Sequence, residues 1–241
     1  MSRATLPGSR WDAIRPLAPS KALNLLAAIG GFVTLLVTYR ALGAHDLDLG
    51  LSDFTLSSGQ VIAALVPAAL GGFLAVGYLL LLPRMRSAIA RLGGLHVQTL
   101  VGTAAFAALA MAVPMVRFSG HAEFTDLHEL VGASAWGALA GLAVLKLVAT
   151  ALNVASGWRG GEFFPLLFAG AAAGAVALAF VPGLEPTAAL VAGLGAATTV
   201  GLKKPLAVAL ICAFLIGGIA LAPLIVGVGV GMLFARVASR K

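Results

Sequence analysis

The sequence predicts an all-α, polytopic membrane helical bundle, and three observations carry that prediction. Of the 241 residues, 60% are apolar and 10% charged, with a mean hydropathy of +1.02. A water-soluble domain of this length needs far more polar surface, so lipid is the solvent. The 30 glycines suit helices that approach closely, because apolar burial does not drive helices together inside lipid. Aromatics amount to 7% and the apolar runs are long and continuous. A barrel of alternating strands of about ten residues with aromatic girdles is excluded.

The runs fall in a clear order. A basic segment, 1–21, precedes run one, 22–43, which has the length of a spanning helix rather than of a signal-peptide core. An acidic loop, 45–53, follows. Run two, 60–83, is expected to end at Pro83, before RMRSAIAR at 84–91. Run three, 96–116, ends near Pro114 and leads into a polar segment, 117–130. Runs four (134–155) and five (163–181) are divided by SGWRGGE, 156–162. After the turn VPGLEP come two short pieces, 187–202 and 205–217, separated by Lys203-Lys204-Pro205, and then a last run, 219–235. The expected organisation is a cytoplasmic basic segment at 1–21 and one membrane domain at 22–238.

Charge sorts onto two surfaces if each piece crosses. One side collects the N-terminal segment, Arg84, Arg86, Arg91, Arg159, Lys203, Lys204, Arg236, Arg240 and Lys241, which makes 13 of the 16 lysines and arginines. The other side holds Arg40, Arg117 and seven of the nine acids, among them Asp46, Asp48, Asp53, Glu123 and Glu185. The positive-inside rule then places both termini in the cytoplasm of a multi-pass inner (plasma) membrane protein. The net charge of +7 therefore flanks membrane helices and does not signal a nucleic-acid partner.

Short or Gly/Pro-interrupted membrane helices point to an ion site. Thirteen residues reach only about 20 Å, short of a hydrocarbon core of roughly 30 Å. The pieces 187–202 and 205–217 have this character, and two packing helices joined by a basic turn are the plainer alternative. In GGEFFP, two glycines precede a helix whose first amides have no intrahelical partner and carry the positive end of the dipole. Such an end binds an anion without a basic side chain. Glu162 is then either a group exchanging protons as an anion passes or a carboxylate compensating the helix dipole.

Several residues have plainer roles. Lys146 lies inside run four. An ionisable group there is a coupling or gating candidate, with snorkelling or a structural pair as the competing role. His121, Glu123, Asp126, His128 and Glu129 crowd one segment, yet solvated loop charges suffice and no metal or other cofactor is expected. Ser119 and His121 lack a G-x-S-x-G context, so no enzyme is read. Cys212 reads as packing, Trp11, Trp136 and Trp158 as interfacial anchors. Gly217-Gly218 and Gly227, Gly229 and Gly231 suit close helix packing, including a homodimer surface.

The segment KLVATALNVASGWRGGEFFPLLFAGAAAGA (146–175) resembles the signature of the CLC chloride channel and transporter family, where a Ser/Gly-rich turn leads into a G-x-F-x-P motif. FSGHAEFTDL (118–127) and AGLGAATTVGLKKPLAVALICAFLIGG (192–218) resemble further family segments. The likeness runs from about 22 to 238 and corresponds to the C-terminal half of a full-length member, one inverted repeat plus flanking helices. It implies a voltage-gated-type chloride channel or an anion/proton antiporter moving halide. The site would comprise Gly161, Glu162, Phe163 and Phe164, with the amides of Glu162 and Phe163 on the anion and Glu162 as the coupling group. Glutamate after the glycine is similar to the fluoride-exporting branch. Departures matter too: no G-S-G-x-P or G-[KR]-E-G-P string occurs, and the only tyrosines, Tyr39 and Tyr78, lie far upstream of where the family supplies one to the anion. The resemblance therefore leaves room for a partner supplying the N-terminal half, for a homodimer, or for a remnant without transport of its own.

Overall fold

A computed structural model describes residues 54–117 and 123–239, together with Leu26, Gly30, Gly31, Val33, Thr34, Val37, Leu49, Leu51 and Ser52. The expectations for 1–21, Trp11, Tyr39, Asp46, Asp48, Asp53, Ser119, His121, Arg240 and Lys241 lie outside the described residues. The chain divides into two units, 1–45 and 46–241. In the first, the described positions between 26 and 37 are helical and exposed, in keeping with run one.

The second unit is a helical bundle. Its helices are α1 (Ser58–Ala63), α2 (Leu65–Ala90), α3 (Leu95–Ala112), α4 (Phe124–Gly132), α5 (Trp136–Ala155), α6 (Phe163–Ala175), α7 (Pro186–Leu202), α8 (Pro205–Leu215) and α9 (Leu221–Ala238). Among the described residues, four stretches are long and apolar enough to cross a membrane: Ser58–Ala90, Leu95–Ala112, Trp136–Ala155 and Leu221–Ala238. α6, α7 and α8 are shorter and apolar.

The short helices α6 and α7 form the centre. Every residue from Leu166 to Ala175 and from Thr187 to Val200 is buried, and helices apolar all round belong inside a bundle. α7 packs against α2, α6 and α9. Its Ala/Gly composition explains how three neighbours fit. A Cβ on Gly71 of α2 would strike the Gly193 carbonyl, and one on Gly193 would strike the carbonyl of Gly170 in α6. A Cβ on Gly231 of α9 would lie 2.7 Å from Ala196 O. Removing side chains at these crossings lets backbones touch, and van der Waals packing then holds the bundle where lipid supplies no hydrophobic drive.

Proline and glycine set the boundaries. Ser57 caps α1 by accepting from Gln60 N at 3.2 Å. Pro67 removes an amide near the start of α2, and the chain turns at Ala64 between the two helices. Lys203 ends α7 in the left-handed region, φ 55°, before Pro205 opens α8. Gly217 and Gly218, at φ 60° and 78°, turn the chain from α8 to α9.

Two expectations need correction. Run two does not stop at Pro83: α2 carries that proline inside and continues to Ala90. Residues 84–90 are good helix formers, and Arg84 Nη1 donates to Leu80 O at 3.0 Å beside the interrupted ladder. The polar segment 117–130 is partly helix α4, which buries Phe124 and Leu127. Phe124 meets the Phe168 ring edge-to-face at 5.4 Å. Gly227 and Gly231 do serve close helix packing, against Ala192 and Ala196 of α7, whereas Gly229 faces open space.

Candidate anion site at the start of α6

α5 ends at Ala155 and the chain turns sharply through Gly157 at φ 90°. That conformation favours glycine. Ser156 is wholly buried, with its hydroxyl donating to Leu152 O at 2.7 Å. Thr99 Oγ1 donates to the Ser156 carbonyl at 2.9 Å, and Trp158 Nε1 donates to Thr103 Oγ1 at 3.0 Å. α3 thus holds the turn at both ends. Gly160 and Gly161 follow with open space around them, so the backbone stays accessible.

Glu162 is the N-cap of α6, but its side chain makes no capping bond. The first helical bond runs from Leu166 N to Glu162 O at 3.1 Å. The amides of Glu162 and Phe163 therefore precede the helical ladder, and Pro165 has no amide to offer. One carboxylate oxygen of Glu162, Oε2, accepts from the Tyr78 hydroxyl at 2.7 Å. That distance is ordinary for an O–H···O hydrogen bond. Tyr78 is 2% exposed on the inner face of α2.

This helix mouth opens on a cavity of about 410 Å³. Gly160, Gly161 and Glu162 line it just ahead of α6 and Pro165 from its first turn, Thr150 and Asn153 from α5, and Arg117 from the turn after α3. Trp158 and Arg159, both exposed, stand at its open side. Its ionisable lining groups are two guanidiniums and one carboxylate, so the formal balance favours an anion. Of the four predicted anion-site residues, Gly161 and Glu162 line the cavity. Phe163 and Phe164, whose rings meet edge-to-face at 5.2 Å, lie just behind it.

Lys146 occupies a different place. It is 1% exposed, Nζ donates to Met115 O at 3.0 Å, and the ammonium lies 5.0 Å from the Phe168 ring centroid. Glu123, 8% exposed, is the opposite charge acting on it. Lys146 is absent from the cavity lining. Its bond to Met115 has a topological consequence. The turn after α3 docks beside the middle of α5, which brings Arg117 into the same cavity as Arg159.

Sequence reasoning missed Tyr78 and Arg117. No local pattern announces Tyr78, since 84 residues separate it from its partner. His128 Nδ1 lies 2.7 Å from Phe124 O, one turn away in α4. Among the described residues, no three His, Cys, Asp or Glu side chains converge as metal ligands would. Cys212 is fully buried among apolar neighbours, as its packing role requires.

Buried short helices, spanning helices around them and a glycine-opened helix mouth define a polytopic α-helical membrane protein. The chain belongs to the voltage-gated chloride channel family, whose sequence profile matches residues 18–238. It is also similar to proteins provisionally named ion-transport protein YfeO in Salmonella newport (strain SL254) and Salmonella typhimurium (strain LT2). Each is 34% identical over 182 residues, covering 70% of this chain and 40% of theirs. The chain thus spans about two fifths of the length of the relatives it matches.

Proposed function

We propose that this chain forms part of an anion pathway through a membrane, with a halide ion seated at the N-terminus of α6. The carrying observation is the cavity in which Gly161 and Glu162 face Arg117, Arg159 and Asn153. Amides ahead of the helical ladder and the positive end of the α6 dipole attract the ion. Two guanidiniums raise its local concentration. Glu162 supplies the opposing charge, which a proton removes, so halide movement and proton uptake are linked at one carboxylate. Chloride is the primary substrate of this reading. The glutamate after Gly161 supports fluoride as the alternative, since a small, strongly hydrogen-bonding anion pairs with a protonated carboxyl better than a large one. Lys146, held by Met115 O and Phe168, serves packing here. The distribution of lysine and arginine supports a plasma-membrane protein with both termini cytoplasmic, and a homodimer remains part of the proposal.

The test is flux from liposomes containing the purified chain, comparing chloride with fluoride, with and without a proton gradient. A second reading rests on the chain's covering 40% of its relatives' length: here it supplies one wall of a pathway that another polypeptide completes. Flux that appears only after co-reconstitution with the N-terminal part of a relative selects that reading. Silence in both preparations leaves a subunit without transport and sinks the anion pathway.

A further inference from the structure

We propose that a second cleft, between the C-terminal ends of α7 and α9 and the start of α8, binds a phosphate group, drawn from a phospholipid headgroup or from free phosphate. The cleft has a volume of about 370 Å³ and is lined by Thr199, Lys203, Pro205, Met232, Arg236 and Ser239. Two cations and two hydroxyls face it, and no carboxylate is among its lining residues. Arginine's planar fork matches phosphate oxygens, while lysine adds a compact charge. Pro205 is the first residue of α8 and the first helical bond there runs from Val208 N to Lys204 O. The amides of Leu206 and Ala207 therefore precede the ladder at the positive end of the α8 dipole.

The independent observation is Thr199. It is 1% exposed, and its hydroxyl finds no hydrogen-bond partner among the described residues. Buried polar groups are almost always paired, so an unpaired hydroxyl in a cleft lined by two cations points to a missing acceptor. The plainer role for Lys203 and Arg236 is to offset the negative C-terminal dipoles of α7 and α9. That role explains the charges but leaves both the cleft and the hydroxyl unaccounted for. Apolar walls at Pro205 and Met232 suit the glycerol root of a lipid, and the next residues in the chain, Leu206 and Leu233, are exposed.

The experiment measures the thermal midpoint and native mass spectrum of the purified chain in neutral detergent. Additions are sodium phosphate, dioctanoyl phosphatidylglycerol, or zwitterionic dioctanoyl phosphatidylcholine. Lys203 and Arg236 are exposed, so the K203Q/R236Q double variant retains its fold, as its ligand-free midpoint verifies. Stabilisation of the wild type by phosphatidylglycerol alone identifies a lipid source, and stabilisation by phosphate identifies a free anion. In either case the double variant binds roughly tenfold more weakly or worse, and Thr199→Val loses part of the response. An equal response in wild type and double variant, or none in the wild type, overturns the proposal. So does a Thr199→Val chain that melts higher without ligand while its ligand response stays intact, which marks the hydroxyl as a structural orphan.

Discussion

The hydroxyl of Tyr78 donates to Oε2 of Glu162 at 2.7 Å, tying the middle of α2 to the first turn of α6. The bond takes the carboxylate away from capping its own helix, which leaves the α6 amides to the cavity. In the proposed pathway, the Glu162 side chain and the anion share this helix end.

Glu162→Gln deletes the one carboxylate lining the cavity. If the proposed pathway holds, its halide flux in reconstituted liposomes should exceed that of the wild type, with an altered chloride to fluoride ratio. A variant with unchanged flux and selectivity would remove Glu162 from the pathway.

Tyr78→Phe deletes a single hydroxyl from a buried site and leaves the ring in its cluster with Leu147, Leu166 and Val200. A hydrogen bond to a charged group contributes about 1.5–3 kcal/mol. Thermal unfolding of Tyr78→Phe, Glu162→Gln and the double variant forms a cycle, and contacting residues couple by roughly 0.5–3 kcal/mol. The expected outcome is a double variant clearly less damaged than the sum of the singles. Additive losses would show that the two side chains do not support one another.

Lys146 is a buried charge that does not line the cavity, and a structural role for it predicts a different pattern. Leaving one member of a buried ion pair without the other costs about 3–5 kcal/mol, whereas replacing both by apolar groups is often neutral. Lys146→Met should lower the melting temperature sharply, and adding Glu123→Leu should recover much of the loss. Anion preference, measured as the chloride to fluoride flux ratio, should stay unchanged in whichever variants fold. A changed ratio would return Lys146 to the coupling machinery.

How much of this was legible depends on the range of the signal. The helix mouth at Gly161 could be read because glycine, glycine and proline act on their own backbone. The same local logic bounded the two short pieces at 187–202 and 205–217, within two residues of α7 and α8 in the structure. α4 was hidden by its charges, although Phe124, Leu127 and Val131 follow helical spacing and a period count would have found it. Pro83 misled because a proline within a helix deletes one bond without dictating an end when the following residues favour helix. Tyr78 and Arg117 were out of reach. Their positions follow from α2 crossing α6 and from Met115 docking on Lys146, contacts between segments 84 and 31 residues apart. Hydropathy carries no record of such pairings.

The central crossing gives the sharpest test of the packing itself. Gly193 lies where α7 meets both α2 and α6, and a Cβ there would strike the Gly170 carbonyl and come within 2.7 Å of Gly174 Cα. Both are backbone atoms, so no rotamer change relieves the contact and the helices must move apart. Overpacking of this kind costs about 1–3 kcal/mol even for one methyl group. Gly229 is the internal control: it lies in α9 with nothing near its Cβ position. Alanine there gains up to about 1 kcal/mol of helix propensity. Thermal melts in detergent should therefore show Gly193→Ala well below the wild type and Gly229→Ala at or above it. If the two variants melt alike, α7 does not pass between α2 and α6 at the contact distance seen here. The position of the α6 mouth, which depends on that crossing, would then fall with it.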